Sequence, residues 1–283
     1  MAEAPRPELT RRSGFATASD GVRLYYEVSG AGPPIVFLHG LGGNHAVWFH
    51  QVADFAVDHT VVTMSQRGFA PSDDAHSGYD PGRLALDLET VLDATSVRRA
   101  VVVGQSMGGW TALRFALEFP DRVEALVLAD TPAGIQDEEI VAHLSKMVES
   151  ASRLRTSPPP LGFHPALSPD FSRTHPAEAI LYQTLTTFGS PTPATIAGQL
   201  AAAGVPREEL RGLRTPTLFV FGSDDTVFPP DILRRAADRV IGARIAVIED
   251  AGHSPYFEKP EAWNAAVRSF LAGNRDGPSQ SSR

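Results

Sequence analysis

Residues 100–109 read Ala100-Val101-Val102-Val103-Gly104-Gln105-Ser106-Met107-Gly108-Gly109. The opening run is apolar on both faces, as a strand buried inside a parallel sheet must be. Beyond it, Met107, Trp110, Leu113 and Leu117 lie in a helical stretch. A strand that passes at once into a helix through Gly-x-Ser-x-Gly predicts a very sharp corner with an exposed hydroxyl. The turn leaves no room two residues before and after the serine, and Gly104 and Gly108 stand at those places. The Met107 amide then sits at a helix N-terminus, aimed where negative charge would develop on a reacting oxygen. Neither G-x-G-x-x-G nor G-x-x-x-x-G-K-[ST] occurs here, which argues against a phosphate cradle.

Outward from this corner, further runs read as strands: Val22–Val28, Pro34–Leu38, Thr60–Met64, Ala125–Ala129, Thr217–Phe221 and Arg244–Ile248. Helical periodicity lies between several of them, as in Leu84, Leu88, Val91 and Leu92, and again in Trp263, Val267, Phe270 and Leu271. The pattern predicts an α/β fold, a mostly parallel central sheet with helices on both faces. From about Ala133 to Gly212 the alternation stops. Ile140, Leu144, Met147 and Ala151 share a helical face, residues 156–176 read as loop, and Ile180–Phe188 and Thr192–Ala203 read as helices. We expect a core of residues 14–132 and 213–272, a helical cap or lid over residues 133–212, and tails at 1–13 and 273–283. A lid belongs over the carboxyl edge of the strands, where open α/β sheets bind ligands.

The chain has 283 residues, 42% of them apolar and 20% charged, enough to bury a single large core. With 25 Lys and Arg against 33 Asp and Glu, its formal charge is −8. That balance disfavours nucleic acid and anionic membrane as partners. There is no cysteine, hence no disulfide, thiolate metal site or cysteine nucleophile. Apolar runs are about five residues where a membrane span needs roughly 20. The first residues, MAEAPRPELTRRSG, contain no signal-type apolar stretch, so the expected location is cytoplasmic.

Three further loops follow predicted strands. His39-Gly40-Leu41-Gly42-Gly43 brings backbone close to a ligand, and the Leu41 amide is the natural second oxyanion donor; His39, inside the turn, reads as structural. Gly222-Ser223-Asp224-Asp225-Thr226-Val227-Phe228-Pro229 offers a carboxylate at a strand end. Gly252-His253-Ser254-Pro255 holds a histidine on a constrained backbone. The order serine, acid, histidine matches one known arrangement of a nucleophile, an orienting acid and a general base.

These four loops resemble those of the α/β-hydrolase fold superfamily, over about residues 15–132 and 213–272. The resemblance implies a serine hydrolase with Ser106, Asp225 and His253 as catalytic residues and Leu41 and Met107 as oxyanion donors. It places the acid at Asp225 and leaves Asp224, or Asp130 after the preceding strand, as alternatives. Ser65-Gln66-Arg67-Gly68-Phe69-Ala70-Pro71-Ser72 departs from the D-x-R-G-x-G-x-S often found there. The resemblance implies cleavage of an ester or lactone without cofactor or metal. The related alternatives are a C–C hydrolase of vinylogous diketones, a cofactor-free haloperoxidase-like esterase and a non-catalytic binding protein. The expected partner is a fairly apolar small molecule. Trp110, Met147, Phe163, Tyr182 and Phe188 are its candidate contacts, with Phe171, Leu181 and Leu185 as further possibilities.

Overall fold

The computed structural model describes residues 10–74, 78–152, 160–187 and 193–275. Its strands are β1 (Arg11–Thr17), β2 (Arg23–Ser29), β3 (Pro34–Leu38), β4 (Thr60–Met64), β5 (Ala100–Gln105), β6 (Val123–Ala129), β7 (Thr217–Gly222) and β8 (Arg244–Ile248). They form one sheet in the order β1-β2-β4-β3-β5-β6-β7-β8. The pairs β1–β2 and β2–β4 are antiparallel and the others parallel.

Strand alternation explains why both strand faces are apolar. Val36, Leu38, Val102, Leu126, Phe219 and Phe221 face one side of the sheet. There they meet α2 (Pro81–Ala94), α3 (Met107–Glu118) and α9 (Pro230–Asp238). Ile35, Phe37, Val101, Val103, Val127 and Val220 face the other side, against α1 (Phe49–Phe55) and α11 (Pro260–Arg275). Each large side chain so buried contributes about 1.5–3 kcal/mol relative to exposure. Local signals start the helices: Pro81 opens α2, and the Asp80 carboxylate accepts from the Gly82 and Arg83 amides.

Between β6 and β7 lie α4 (Glu138–Ser152), α5 (Pro169–Thr174), α6 (Pro176–Leu185), α7 (Pro193–Ala202) and α8 (Arg207–Leu210). Among the described residues the only β pairing here is a single bridge, Ile135 to Val205. Ile140, Ile196 and Leu200 join the hydrophobic cluster of α3. Phe171, Ala179 and Tyr182 join the opposite cluster, beside α10 (Pro255–Glu258). The insertion thus straddles the sheet edge.

Several boundaries differ from the expectation. β1 begins at Arg11, inside the stretch read as a tail, and α11 continues to Arg275. β1 lacks an apolar pattern because it is an edge strand: Ala16 is its one buried residue, and main-chain pairing with β2 places it. Residues 156–176, read as loop, contain α5, whose N-terminus the Ser168 hydroxyl caps by accepting from the Phe171 amide.

Candidate active site

Ser106 sits at the corner between β5 and α3 with φ 49° and ψ −117°, a conformation costly for any side chain. The corner closes because both neighbouring glycines are in close contact: a Cβ on Gly104 would strike the Gly108 carbonyl, and one on Gly108 the Leu38 carbonyl. The Ser106 amide donates to Ala129 O (2.9 Å), and its carbonyl accepts from the Thr131 hydroxyl (2.8 Å). The Ser106 Oγ makes no hydrogen bond with another described residue.

Asp225 follows β7. Its Oδ1 accepts from the Val227 and Phe228 amides at 2.8 and 2.9 Å, the local turn that aspartate makes with the backbone ahead of it. Its Oδ2 lies 2.8 Å from His253 Nδ1. Both groups are buried. A carboxylate on Nδ1 holds the proton there and leaves Nε2 able to accept one. His253 and Ser106 line one cavity of about 220 Å³, together with Leu41 and Met107. Among the described residues, nothing accepts a hydrogen bond from the Leu41 or Met107 amides. Of the five residues expected at the site, Ser106, His253, Leu41 and Met107 line this cavity, and Asp225 pairs with His253 Nδ1 without lining it.

The alternative acids fall elsewhere. Asp224 is exposed and accepts from the Ser223 hydroxyl (3.0 Å). Asp130 is fully buried near the pair. Its Oδ1 accepts from the Gly222 amide at 3.0 Å, and its Oδ2 has no partner. Burial first, and then the charge of Asp225, push the Asp130 carboxyl well above the ordinary carboxylate range. Asp225 accepts three hydrogen bonds and Asp130 one, so the proton resides on Asp130. Asp130, Asp225 and His253 have ligand-type atoms within 4.8 Å of one another. One carboxyl that keeps its proton and an imidazole nitrogen already given to Asp225 make a poor donor set for a cation.

The protonated Asp130 has a measurable consequence. Below the carboxyl pKa of the unfolded chain, about 4, both states hold the proton and burial adds no pH-dependent cost. Above it the unfolded chain releases the proton and the folded chain retains it, so stability falls as pH rises. Asp130→Asn keeps an oxygen for the Gly222 amide and removes the titration. Its Tm should exceed that of the wild type near pH 8, with the gap closing toward pH 4 in thermal scans. A gap that widens toward acid would place the proton elsewhere.

The structure separates the expected substrate contacts. Trp110 and Met147 line the cavity. The Trp110 indole N–H donates to Leu200 O (3.1 Å), so its ring forms wall while its polar edge pins α3 to α7. Tyr182 does not reach the cavity: its hydroxyl pairs with Ser254 Oγ (2.8 Å) and its ring packs on Phe257, because the apolar face of α6 turns toward the core. Phe163 is half exposed and also lies off the cavity wall. Leu181 is exposed, Leu185 and Phe171 pack in the core, and Phe188 lies outside the described residues. His39 is buried, its Nε2 accepting from the Gln66 amide (2.9 Å), and burial lowers its pKa to about 4. Gln66, within the atypical loop, also accepts from the Thr111 hydroxyl, so that loop braces the site.

Motifs did not mark two supporting residues. The Gln105 amide donates to His253 O (3.0 Å) and ties the serine corner to the histidine loop. Glu258 accepts from the Gly252 amide and the Ser168 amide, both at 3.0 Å, linking that loop to the insertion. The bonds of Gln105 to His253 and of Glu258 to Ser168 cross long sequence separations.

Fold and site together define a hydrolase-type α/β protein, and the comparisons agree. The family model for the alpha/beta hydrolase fold matches residues 33–260, and the chain belongs to that family. A thermophilic esterase from Thermogutta terrifontis is 27% identical, with a TM-score of 0.75 over 94% of this chain and 99% of that one. The esterase RhEst1 from Rhodococcus sp. ECU1013 is 26% identical, with a TM-score of 0.77 over 92% of this chain and 98% of that one. Est816, described as an N-acyl homoserine lactone degrading enzyme, is 28% identical, with a TM-score of 0.73 over 91% and 100%.

Proposed function

We propose that this protein is a serine hydrolase that cleaves a small, largely apolar carboxylic ester or lactone through an acyl-enzyme on Ser106. The observation that carries the reading is the 2.8 Å pairing of Asp225 with His253 on the wall of the cavity that Ser106 lines. Esterases and a lactone-degrading enzyme among the relatives support it.

In this reading Asp225 fixes the His253 tautomer and stabilises the imidazolium that forms. His253 Nε2 takes the Ser106 proton as Oγ attacks the carbonyl carbon. The carbonyl oxygen gains the negative charge and rests between the Leu41 and Met107 amides. The C–O bond to the alcohol then breaks, and the imidazolium returns its proton to the departing oxygen. Water, deprotonated by His253, releases the acid by the same route. Unliganded sites often leave the serine–histidine bond unformed until substrate binds. Each oxyanion donor is worth about 3–4 kcal/mol. The insertion serves as the lid, since α4, α7 and residues 164–166 supply much of the cavity wall. The cavity is smaller than the roughly 300–1,000 Å³ of drug-sized ligand sites, which favours short acyl and alkoxy groups. No helix among the described residues is long and apolar enough to cross a membrane.

The test is hydrolysis of p-nitrophenyl esters of graded chain length, with intact mass measured after a fluorophosphonate. Turnover peaking at short chains, with one adduct that Ser106→Ala lacks, is the expected result. An unmodified wild-type protein would overturn the nucleophile and favour a binding protein on a hydrolase fold.

A further inference from the structure

Among the described residues, the cavity wall carries one titratable side chain with no place in the mechanism above, His164. It lies on the stretch between α4 and α5, beyond the family-typical loops. Its Nδ1 accepts a hydrogen bond from the Ala166 amide at 3.1 Å. An amide can donate only to an unprotonated nitrogen, so the neutral ring must carry its proton on Nε2. Burial, and then the proximity of His253, push the pKa down to about 4, and the ring is neutral through the physiological range. The ring is also fixed in place, edge-on to Tyr182 at 4.9 Å between centroids, and Tyr182 is itself held by Ser254. Among the described residues no group accepts from the His164 Nε2–H.

The cavity wall that His164 shares is largely apolar, with Leu144, Met147, Val148, Leu200, Val227 and Phe228. The Trp110 N–H is already spent on Leu200. Among the described residues on the wall, apart from the Ser106 hydroxyl and the His253 imidazole, only the His164 side chain has a donor left to give. A donor that a ligand leaves unpaired inside an apolar pocket is penalised, so such a group discriminates between otherwise equal ligands.

The geometry points to His164 as a neutral hydrogen-bond donor that selects substrates carrying a second acceptor oxygen, a carbonyl or ether, besides the ester that Ser106 attacks. This inference rests on the hydrolase reading and names the substrate class of that same cavity. Both sides of the ester can be probed with matched pairs. Ethyl 3-oxobutanoate against ethyl butanoate places the acceptor on the acyl side. 2-Methoxyethyl butanoate against pentyl butanoate places it on the alcohol side.

The measurement is the ratio of kcat/KM within each pair, normalised to hydroxide-catalysed hydrolysis of the same esters. The wild type should favour the acceptor-bearing ester about tenfold in at least one pair, the discrimination of one well-placed hydrogen bond. His164→Phe should bring that ratio to about one whatever the absolute rates. His164→Gln, whose amide nitrogen reaches the place of Nε2, should restore part of it. A wild-type ratio near one in both pairs, or one that survives His164→Phe, would overturn the inference. A second readout needs no turnover. In Ser106→Ala with nitrogen-15-labelled histidine, His164 should show the Nε2–H tautomer, and the preferred ester should move its Nε2 signal where its acceptor-free partner does not. An Nδ1–H tautomer or an unmoved signal would also overturn it. Ester turnover that persists in Ser106→Ala would instead sink the hydrolase reading, while the nitrogen signal still decides whether His164 binds the acceptor.

Discussion

Ser106→Ala is expected to lower ester turnover by on the order of 10⁶-fold, a loss of about 8 kcal/mol of transition-state stabilisation. The size follows from the route. Without the hydroxyl no acyl-enzyme forms, and His253 has no bound nucleophile to deprotonate. The oxyanion donors remain, so a residual acceleration over water is expected. Folding should survive, because the Ser106 Oγ makes no hydrogen bond with another described residue and its main-chain bonds to Ala129 and Thr131 persist. Steady-state kinetics with a short-chain ester, beside a thermal melt, measure both. Retained turnover with an unchanged melt would remove Ser106 from the chemistry.

Asp225→Asn is expected to cost about 10⁴-fold, or about 5.5 kcal/mol. The hydrogen-bond pattern gives the reason. Two backbone amides, of Val227 and Phe228, demand an oxygen at the Oδ1 position. Asparagine satisfies them only by turning its amide nitrogen toward His253. That nitrogen donates, so His253 Nδ1 must accept and the ring proton moves to Nε2. The base then carries a proton on the very atom that must receive one from Ser106. Removing the Asp225 charge also removes the second cause of the raised Asp130 pKa. The double variant Asp225→Asn/Asp130→Asn tests whether Asp130 takes over. We expect it to match the single variant, because Asp130 has no hydrogen bond to His253 and its one partner is the Gly222 amide. A further drop in the double variant would make Asp130 a working substitute acid.

Much of this molecule was legible in its residues. Seven of the eight strands coincide with runs legible in the sequence, their ends differing by at most two residues, and β3 to β7 stand out because burial on both sheet faces leaves an apolar signature. The edge strand β1 escaped notice because only Ala16 along it is buried. The serine corner, the glycine loop, the acid and the histidine were each visible for local reasons: a steric demand for glycine, or a turn that aspartate or proline makes by itself. Of the cavity-lining side chains outside these loops, Trp110 and Met147 are legible in the sequence and the rest are not. Helical periodicity shows that α6 has an apolar face but not what that face meets. Tyr182 turned to the core and to Ser254, while His164, in a stretch read as loop, reached the cavity.

The sequence by itself marked the strands other than β1 and the order of the candidate functional loops, since an apolar run or a glycine-rich turn is a local pattern. Tertiary structure alone decided which aspartate meets the imidazole, that burial raises the Asp130 carboxyl pKa beside it, and that a histidine of the insertion lines the same cavity as Ser106. Those outcomes depend on distances and desolvation between groups far apart in sequence, which no local pattern encodes.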